Sequence, residues 1–243
     1  MENKLIQELE VPCYETDSAC LLKPASFMDM AQELANRHAT VLGFGFDDLQ
    51  KTRTVWVLSR MHVIFCRHPR WREQVKLSTW HKGAARLFYL RDFKMEATDG
   101  TPLVLATTSW VIVDIDTRRL SRNTAILDDG TACMDNAVGE PCDKVQMPRD
   151  ASPEFVRTHQ VSYSDVDMNG HTNNAMYLVW AMDALEYDLT SRNPLKELKI
   201  NFNQETRPGD SVELYRWAAP QGDSFIVEGR VDGKSAFCVE LKF

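Results

Sequence analysis

Apolar residues along the chain fall into two repeated patterns, one helical and one strand-like. Over 24–42, Phe27, Met30, Ala31, Leu34, His38, Val41 and Leu42 recur at spacings of three, four and seven. Pro24 suits the first turn of that helix, and Gly43 ends it. Over 173–190, Ala175, Leu178, Val179, Met182 and Leu185 share one helical face, with Thr172 or Asn173 placed to cap the start. Strand-like runs follow each helix: 55–66, 74–82, 86–97 and 103–115 after the first, and 196–205, 211–218, 224–231 and 235–242 after the second. Turn signals separate them at Asp99-Gly100, Pro208-Gly209-Asp210 and Asp232-Gly233.

The two sets align as copies of one unit. A shift of 137 residues places Met61 on Leu198, Val63 on Ile200, Phe65 on Phe202, Arg70 on Arg207, Trp80 on Trp217 and Phe88 on Phe225. A shift of 148 places Asp17 on Asp165 and Met28 on Met176. The difference of 11 residues is expected in a longer connection from Gly43 to Thr54. A long helix followed by antiparallel strands that wrap it is the hotdog plan. The fold class expected is therefore α+β, a double hotdog: an N-terminal copy over 1–122, a linker over 123–150, and a C-terminal copy over 151–243. Pairing the two sheets would cover strand edges that one copy alone leaves open.

Composition narrows the class. With 28 Lys and Arg against 35 Asp and Glu, the net charge is −7, a poor default for nucleic-acid binding. No stretch approaches the ~20 apolar residues of a membrane span. The N-terminus has no apolar signal centre, and the six cysteines show no Cys-x-x-Cys spacing. They read as reduced packing residues of a cytoplasmic protein, with no metal site. Charge is uneven: residues 51–122 carry 14 basic and 6 acidic side chains, inside an otherwise acidic chain. That block is either a solvated sheet face or a surface that steers an acidic partner.

The candidate chemistry lies at the start of the second helix, in Ser164-Asp165-Val166-Asp167-Met168-Asn169-Gly170-His171-Thr172-Asn173-Asn174. Helix-start N–H groups lack intrahelical partners and favour negative charge, as on a thioester oxyanion. If the segment is extended, Asp167, Asn169 and His171 alternate onto one side. A turn whose Asp and Asn cap their own backbone explains the same residues. Under the 148 shift they fall on Ala19, Leu21 and Lys23, so the first copy would start its helix without them, which favours the functional reading.

The run Asp167-Met168-Asn169-Gly170-His171-Thr172-Asn173-Asn174, followed by Tyr177, resembles the active-site motif of acyl-ACP thioesterases, the plant fatty-acid-releasing family and its bacterial relatives. Trp56-Val57-Leu58-Ser59-Arg60-Met61, Pro69-Arg70-Trp71, Ser109-Trp110-Val111 and Thr117-Arg118-Arg119-Leu120-Ser121 are similar to further segments of that family. The resemblance spans about residues 14–217. It implies a hydrolase that cleaves the thioester of fatty acyl-[acyl carrier protein], with Asp167, Asn169, His171 and Glu205 in the catalytic positions. Plant members have a Cys directly after that Glu; here it is Thr206, so a thiolate mechanism does not carry over.

The mechanism expected is direct water attack, with Asp167 or Glu205 as general base and Asn169 polarising the carbonyl. His171 then orients the water or protonates the leaving thiolate, and Asp167→Asn is expected to remove most turnover. No cofactor is implied. The partner implied is an acidic acyl carrier protein with a phosphopantetheine-linked chain, docked on Arg67, Arg70, Arg72, Arg118 and Arg119. Phe27, Met28, Met30, Ala31 and Trp56 are the acyl-pocket candidates. A homodimer is left open. Two alternatives stand beside this reading: an acyl-CoA thioesterase of the hotdog class, and a non-catalytic acyl-binding module. Matched acyl-ACP and acyl-CoA assays separate the three.

Overall fold

The computed structural model describes residues 3–121 and 130–243; Arg122 and the first part of the 123–150 linker lie outside the described residues. The chain runs β1 (Leu5–Glu10), α1 (Pro24–Val41), α2 (Phe46–Lys51), β2 (Thr54–Phe65), β3 (Gln74–Ala85), β4 (Phe88–Ala97), β5 (Pro102–Asp114) and β6 (Leu120–Ser121). It continues β7 (Glu154–Gln160), α3 (Asn174–Asp183), α4 (Tyr187–Arg192), β8 (Glu197–Phe202), β9 (Ser211–Ala218), β10 (Ser224–Val231) and β11 (Lys234–Lys242). The strands form one antiparallel sheet in the order β1-β3-β4-β5-β2-β8-β11-β10-β9-β7, with β6 on β5.

That order is a double hotdog, two α+β copies related by a pseudo-two-fold axis. The axis passes between β2 and β8, where His62 faces Lys199, the same position under the 137 shift. Strands that would be edges of single copies thus pair with each other. β1 and β7 escape prediction because each is short and half exposed, and they close the two outer edges.

The predicted first helix ends where Leu42 and Gly43 leave it, Gly43 taking a φ of +81° that glycine tolerates best. Its buried face carries Phe27, Ala31, Leu34, Ala35 and His38. The second predicted helix is not continuous to 190. It breaks after Asp183 and restarts as α4 at Tyr187. The length difference between copies is likewise not a loop. α1 has 18 residues against 10 in α3, and β2 has 12 against 6 in β8.

One core joins both copies: Phe27, Met28 and Leu34 of α1, Leu178 and Trp180 of α3, and Met61, Leu198 and Phe237 from the sheet are all buried in it. Each such side chain contributes roughly 1.5–3 kcal/mol of burial. Residues 130–147 form a strap across the sheet's other face. Asp135 O accepts from Trp80 Nε1 at 2.8 Å, Cys142 O from Arg60 Nη1 at 3.2 Å and Val145 O from Asn201 Nδ2 at 2.9 Å.

Candidate active site

The turn before α3 is built by one carboxylate. Val166 and Thr172 form a bridge, and Asp167 N–H donates to His171 O at 2.8 Å. Gly170 closes the turn at φ +75°, its N–H donating to Asp167 O at 3.0 Å. Asp167 Oδ1 accepts the N–H of Asn169 at 2.8 Å and of His171 at 3.4 Å, and Oδ2 accepts Asn169 Nδ2 at 3.3 Å. The segment is therefore a tight turn, not the extended run expected from the alternation.

The same turn stands before α1. Thr16 bridges Leu22, Asp17 N–H donates to Leu21 O at 2.9 Å, and Asp17 Oδ1 accepts the N–H of Ala19 at 2.8 Å and of Leu21 at 3.0 Å. The structural register at the helix starts is 150 residues, not 148. This corrects the equivalence: Asp167 matches Asp17, Asn169 matches Ala19 and His171 matches Leu21. Capping the turn is thus common to both copies. Asn169 and His171 belong to the second copy alone.

Glu205 is the third such residue. It lies in the loop after β8 rather than on the predicted strand, because β8 ends at Phe202. Thr172 N–H donates to Thr206 O at 3.0 Å, as Leu22 N–H does to Pro69 O at 2.8 Å, and this fixes the loop against the turn. Glu205 Oε2 then lies 3.4 Å from His171 Nε2 and 3.5 Å from Arg118 Nη1. Its counterpart in the first copy is His68, buried, with ring nitrogens 3.1 Å from Leu22 O and 2.7 Å from Leu195 O. The first copy therefore uses this position to tie backbone, with no group left for chemistry.

Thr206 is fully buried. Its hydroxyl is 2.6 Å from Thr172 Oγ1 and 3.0 Å from Tyr177 OH, and its N–H donates to Tyr177 OH at 3.0 Å. Packed between two other hydroxyls, it has no exposed surface, and among the described residues its hydroxyl bonds only to those two rather than to a base that could activate it.

A buried network supports the turn from behind. Asp165 accepts from Ser162 N–H at 2.7 Å, His159 Nε2 at 3.0 Å and Trp180 Nε1 at 3.2 Å. Burial opposes its charge, but these donors outweigh it and hold the carboxyl below the usual range. Asn173 caps α3, its Oδ1 accepting Ala175 N–H at 3.1 Å. Met176 N–H is taken by Asn173 O, so two of the helix-start N–H groups expected to face a substrate are already bonded. From α1, Asp29 Oδ1 accepts Asn173 Nδ2 at 2.8 Å, and Gln32 reaches Asn173 at 3.3 Å and Asn174 at 2.7 Å. Burial raises the Asp29 carboxyl above its ordinary range despite the bond from Asn173. Sequence reasoning missed Asp29 and Gln32, since their role depends on α1 lying beside α3.

Gln32 also borders a cavity of about 110 Å³ inside the first copy. Phe44, Trp56, Tyr89 and Trp110 give it aromatic walls, with Trp56 and Tyr89 packed edge to face at 5.0 Å. Of the five acyl-pocket candidates, Trp56 lines this cavity. Phe27, Met28 and Ala31 are buried in the shared core, with Met30 packed against it. The docking candidates divide as well. Arg118 reaches Glu205, and Arg119 is exposed beside it. Arg67 pairs with Glu73 at 2.5 Å, Arg72 stacks on Trp71 at 4.1 Å, and Arg70 is exposed on the same turn near the start of α1.

Sequence profiles of two domains match most of the chain: the acyl-ACP thioesterase N-terminal domain over residues 2–132 and the C-terminal domain over 149–235. The chain is 26% identical over 204 residues to oleoyl-acyl carrier protein thioesterase 2 of Arabidopsis thaliana, covering 76% of this chain and 55% of that protein. It is 26% identical over 223 residues to the oleoyl-acyl carrier protein thioesterase of Coriandrum sativum, covering 84% and 59%. The chain thus spans a little over half the length of these relatives. Among solved structures, an acyl-ACP thioesterase from Bacteroides thetaiotaomicron superposes with a TM-score of 0.90 at 21% identity, covering 99% of this chain and 98% of the other. The 12:0-ACP thioesterase from Umbellularia californica gives 0.90 at 19%, covering 100% and 97%, and at these identities both establish the fold. With both domain profiles matched in order across two halves of one sheet, the chain belongs to the acyl-ACP thioesterase family.

Proposed function

We propose that this chain hydrolyses fatty acyl-[acyl carrier protein] to free fatty acid and carrier thiol. The observation that carries the reading is the grouping of His171, Glu205 and Asn169 at the start of α3, in the copy that alone has all three. Glu205 takes a proton from water as the water oxygen attacks the thioester carbon. Asn169 has two N–H donors on Nδ2; one is engaged by Asp167 and the other serves the developing oxyanion. The C–S bond breaks as the tetrahedral intermediate collapses, and His171, 3.4 Å from Glu205, relays the proton to the departing thiolate. Asp167 acts as a positioning residue that sets the backbone of Asn169 and His171. A thiol-release assay on acyl-ACP tests this directly, with His171→Ala as the inactive control; equal rates for the two proteins would end the proposal.

Thr206→Val should keep kcat within tenfold of the parent, because the hydroxyl is structural. The lost bonds to Thr172 and Tyr177 should lower stability by about 1–3 kcal/mol. Urea unfolding and thiol release check the two halves, and loss of kcat by a thousandfold in a folded variant would make Thr206 the nucleophile instead.

Carrier docking follows from charge. Arg118 and Arg119 are exposed at the rim of the site, where an acidic carrier would approach. Arg119→Glu leaves the Glu205 contact intact and should raise KM for acyl-ACP at least about threefold at low salt, with the gap closing near 0.5 M salt. A salt-independent KM would exclude electrostatic docking there. A reducing, cytoplasmic setting suits the six free thiols. No helix among the described residues is long and apolar enough to cross a membrane.

A further inference from the structure

We propose that Tyr177 is a positioning residue for the reaction: its buried hydroxyl holds the Glu205 loop at a fixed distance from His171. Its effect on turnover rests on the hydrolase reading; its effect on the position of Glu205 does not. Tyr177 packs into the shared core from α3 and is 3% exposed. Its oxygen accepts the Thr206 N–H at 3.0 Å, and the hydroxyls of Tyr177, Thr206 and Thr172 form a buried chain with contacts of 3.0 and 2.6 Å. Thr206 directly follows Glu205, and Thr172 directly follows His171. The chain of hydroxyls therefore ties together the backbone neighbours of two side chains that lie 3.4 Å apart at the rim.

The first copy folds without these hydroxyls. Under the 150 register Tyr177 and Thr172 fall on Phe27 and Leu22, and under the 137 shift Thr206 falls on Pro69. The backbone bond is the same, Leu22 N–H to Pro69 O at 2.8 Å against Thr172 N–H to Thr206 O at 3.0 Å. Phe27, Leu22 and Pro69 are buried too, so three apolar side chains fill the place of three that carry hydroxyls. Burying hydroxyls there costs desolvation that their mutual bonds only offset. The difference reaches the catalytic neighbour. A residue before proline is confined to extended backbone; in the first copy that residue is His68, whose ring ties down Leu22 O and Leu195 O. Thr206 lifts that restriction from Glu205 but leaves a buried N–H to satisfy, and Tyr177 supplies the acceptor.

Burial raises the Tyr177 phenol above its ordinary range, against its bonds with Thr206 and Thr172 and with the Glu205 charge adding to the rise. The hydroxyl thus keeps its proton near neutral pH, and it acts through Glu205 rather than on the substrate.

The test uses the full chain as wild type, Tyr177→Phe, Thr206→Val and Glu205→Gln. Phe already stands at this place in the first copy, so the ring should fit. Thiol release from acyl-ACP should show kcat about 10- to 100-fold lower in Tyr177→Phe, with KM within about threefold. Thr206→Val keeps the N–H bond to Tyr177 and should lose less. In NMR spectra of the substrate-free proteins, the His171 imidazole nitrogen signals should move in Tyr177→Phe towards their positions in Glu205→Gln, and stay near wild type in Thr206→Val. A folded Tyr177→Phe with kcat within about threefold of wild type, or with unmoved His171 signals, overturns the proposal. Amide exchange in wild type needs no variant to fold: Thr206 N–H should be protected as strongly as Thr172 N–H, and exchange at the rate of an open loop overturns it as well. No thiol release from wild type would count against the hydrolase reading alone, and the His171 signals and Thr206 exchange would still decide what holds Glu205.

Discussion

Replacing Glu205 by Gln should lower kcat/KM on acyl-ACP by about 10²–10⁴ while leaving the fold intact. Gln keeps the size of the side chain and removes the carboxylate that would accept the proton of water. The position is a loop, and its partners Arg118 and His171 lie at 3.5 and 3.4 Å on an open rim. Surface pairs of this kind are worth at most about 1 kcal/mol, so thermal unfolding should move little. Asp167→Asn is the informative contrast. Asn retains Oδ1 as acceptor for the Asn169 and His171 N–H groups, so at least about a tenth of the activity should survive. That reverses the expectation from sequence, where Asp167 stood as an equal candidate for the base. The reason is Asp17, which makes the same turn bonds in a copy that has neither the Asn nor the His. Glu205→Gln activity within threefold of wild type, or a larger loss from Asp167→Asn than from Glu205→Gln, would exchange the two roles.

Asn169→Ala should cost about 10²–10³ in kcat with little change in KM, the signature of a donor that acts on the developing oxyanion. The side chain is exposed, and its one bond among the described residues, to Asp167 Oδ2, is 3.3 Å long. Truncation therefore leaves the turn standing on its backbone bonds. Two helix-start N–H groups are already engaged by Asn173, so they are poor substitutes for the missing amide. Asn169→Asp should be slower still, because it sets a negative charge against the oxyanion. Single-turnover thiol release separates this loss from slow product release. A raised KM at unchanged kcat would make Asn169 a ground-state binding residue instead.

Much of the architecture was legible because strands encode register through repeated side-chain identity. Trp80 with Trp217 and Arg70 with Arg207 fixed the 137 shift, and the sheet axis at His62 and Lys199 follows it. The 148 shift at the helix starts sets Asp17 on Asp165, whereas the structural partner of Asp165 is Glu15, an offset of two residues. The bridges Thr16–Leu22 and Val166–Thr172, with the matching turn bonds of Asp17 and Asp167, reveal the offset, and backbone pairing within a short turn leaves no periodic trace. The break at Asp183 was hidden by apolar spacing that continues across it to Leu185. Asn169, His171 and Glu205 were legible as chemistry because they are polar and lie next to turns. The cavity was less so: Trp56 was found, while the walls from β4 and β5 depend on how the strands curl.

Hydrolysis of carrier-bound acyl chains is decided by steady-state thiol release from matched C8 to C18 acyl-ACP and acyl-CoA, at low salt and with His171→Ala as the blank. Acyl-ACP should be cleaved with kcat/KM at least about tenfold above the matching acyl-CoA for one or more chain lengths. Release from every acyl-ACP at the His171→Ala rate, or a preference for acyl-CoA across the panel, would contradict it.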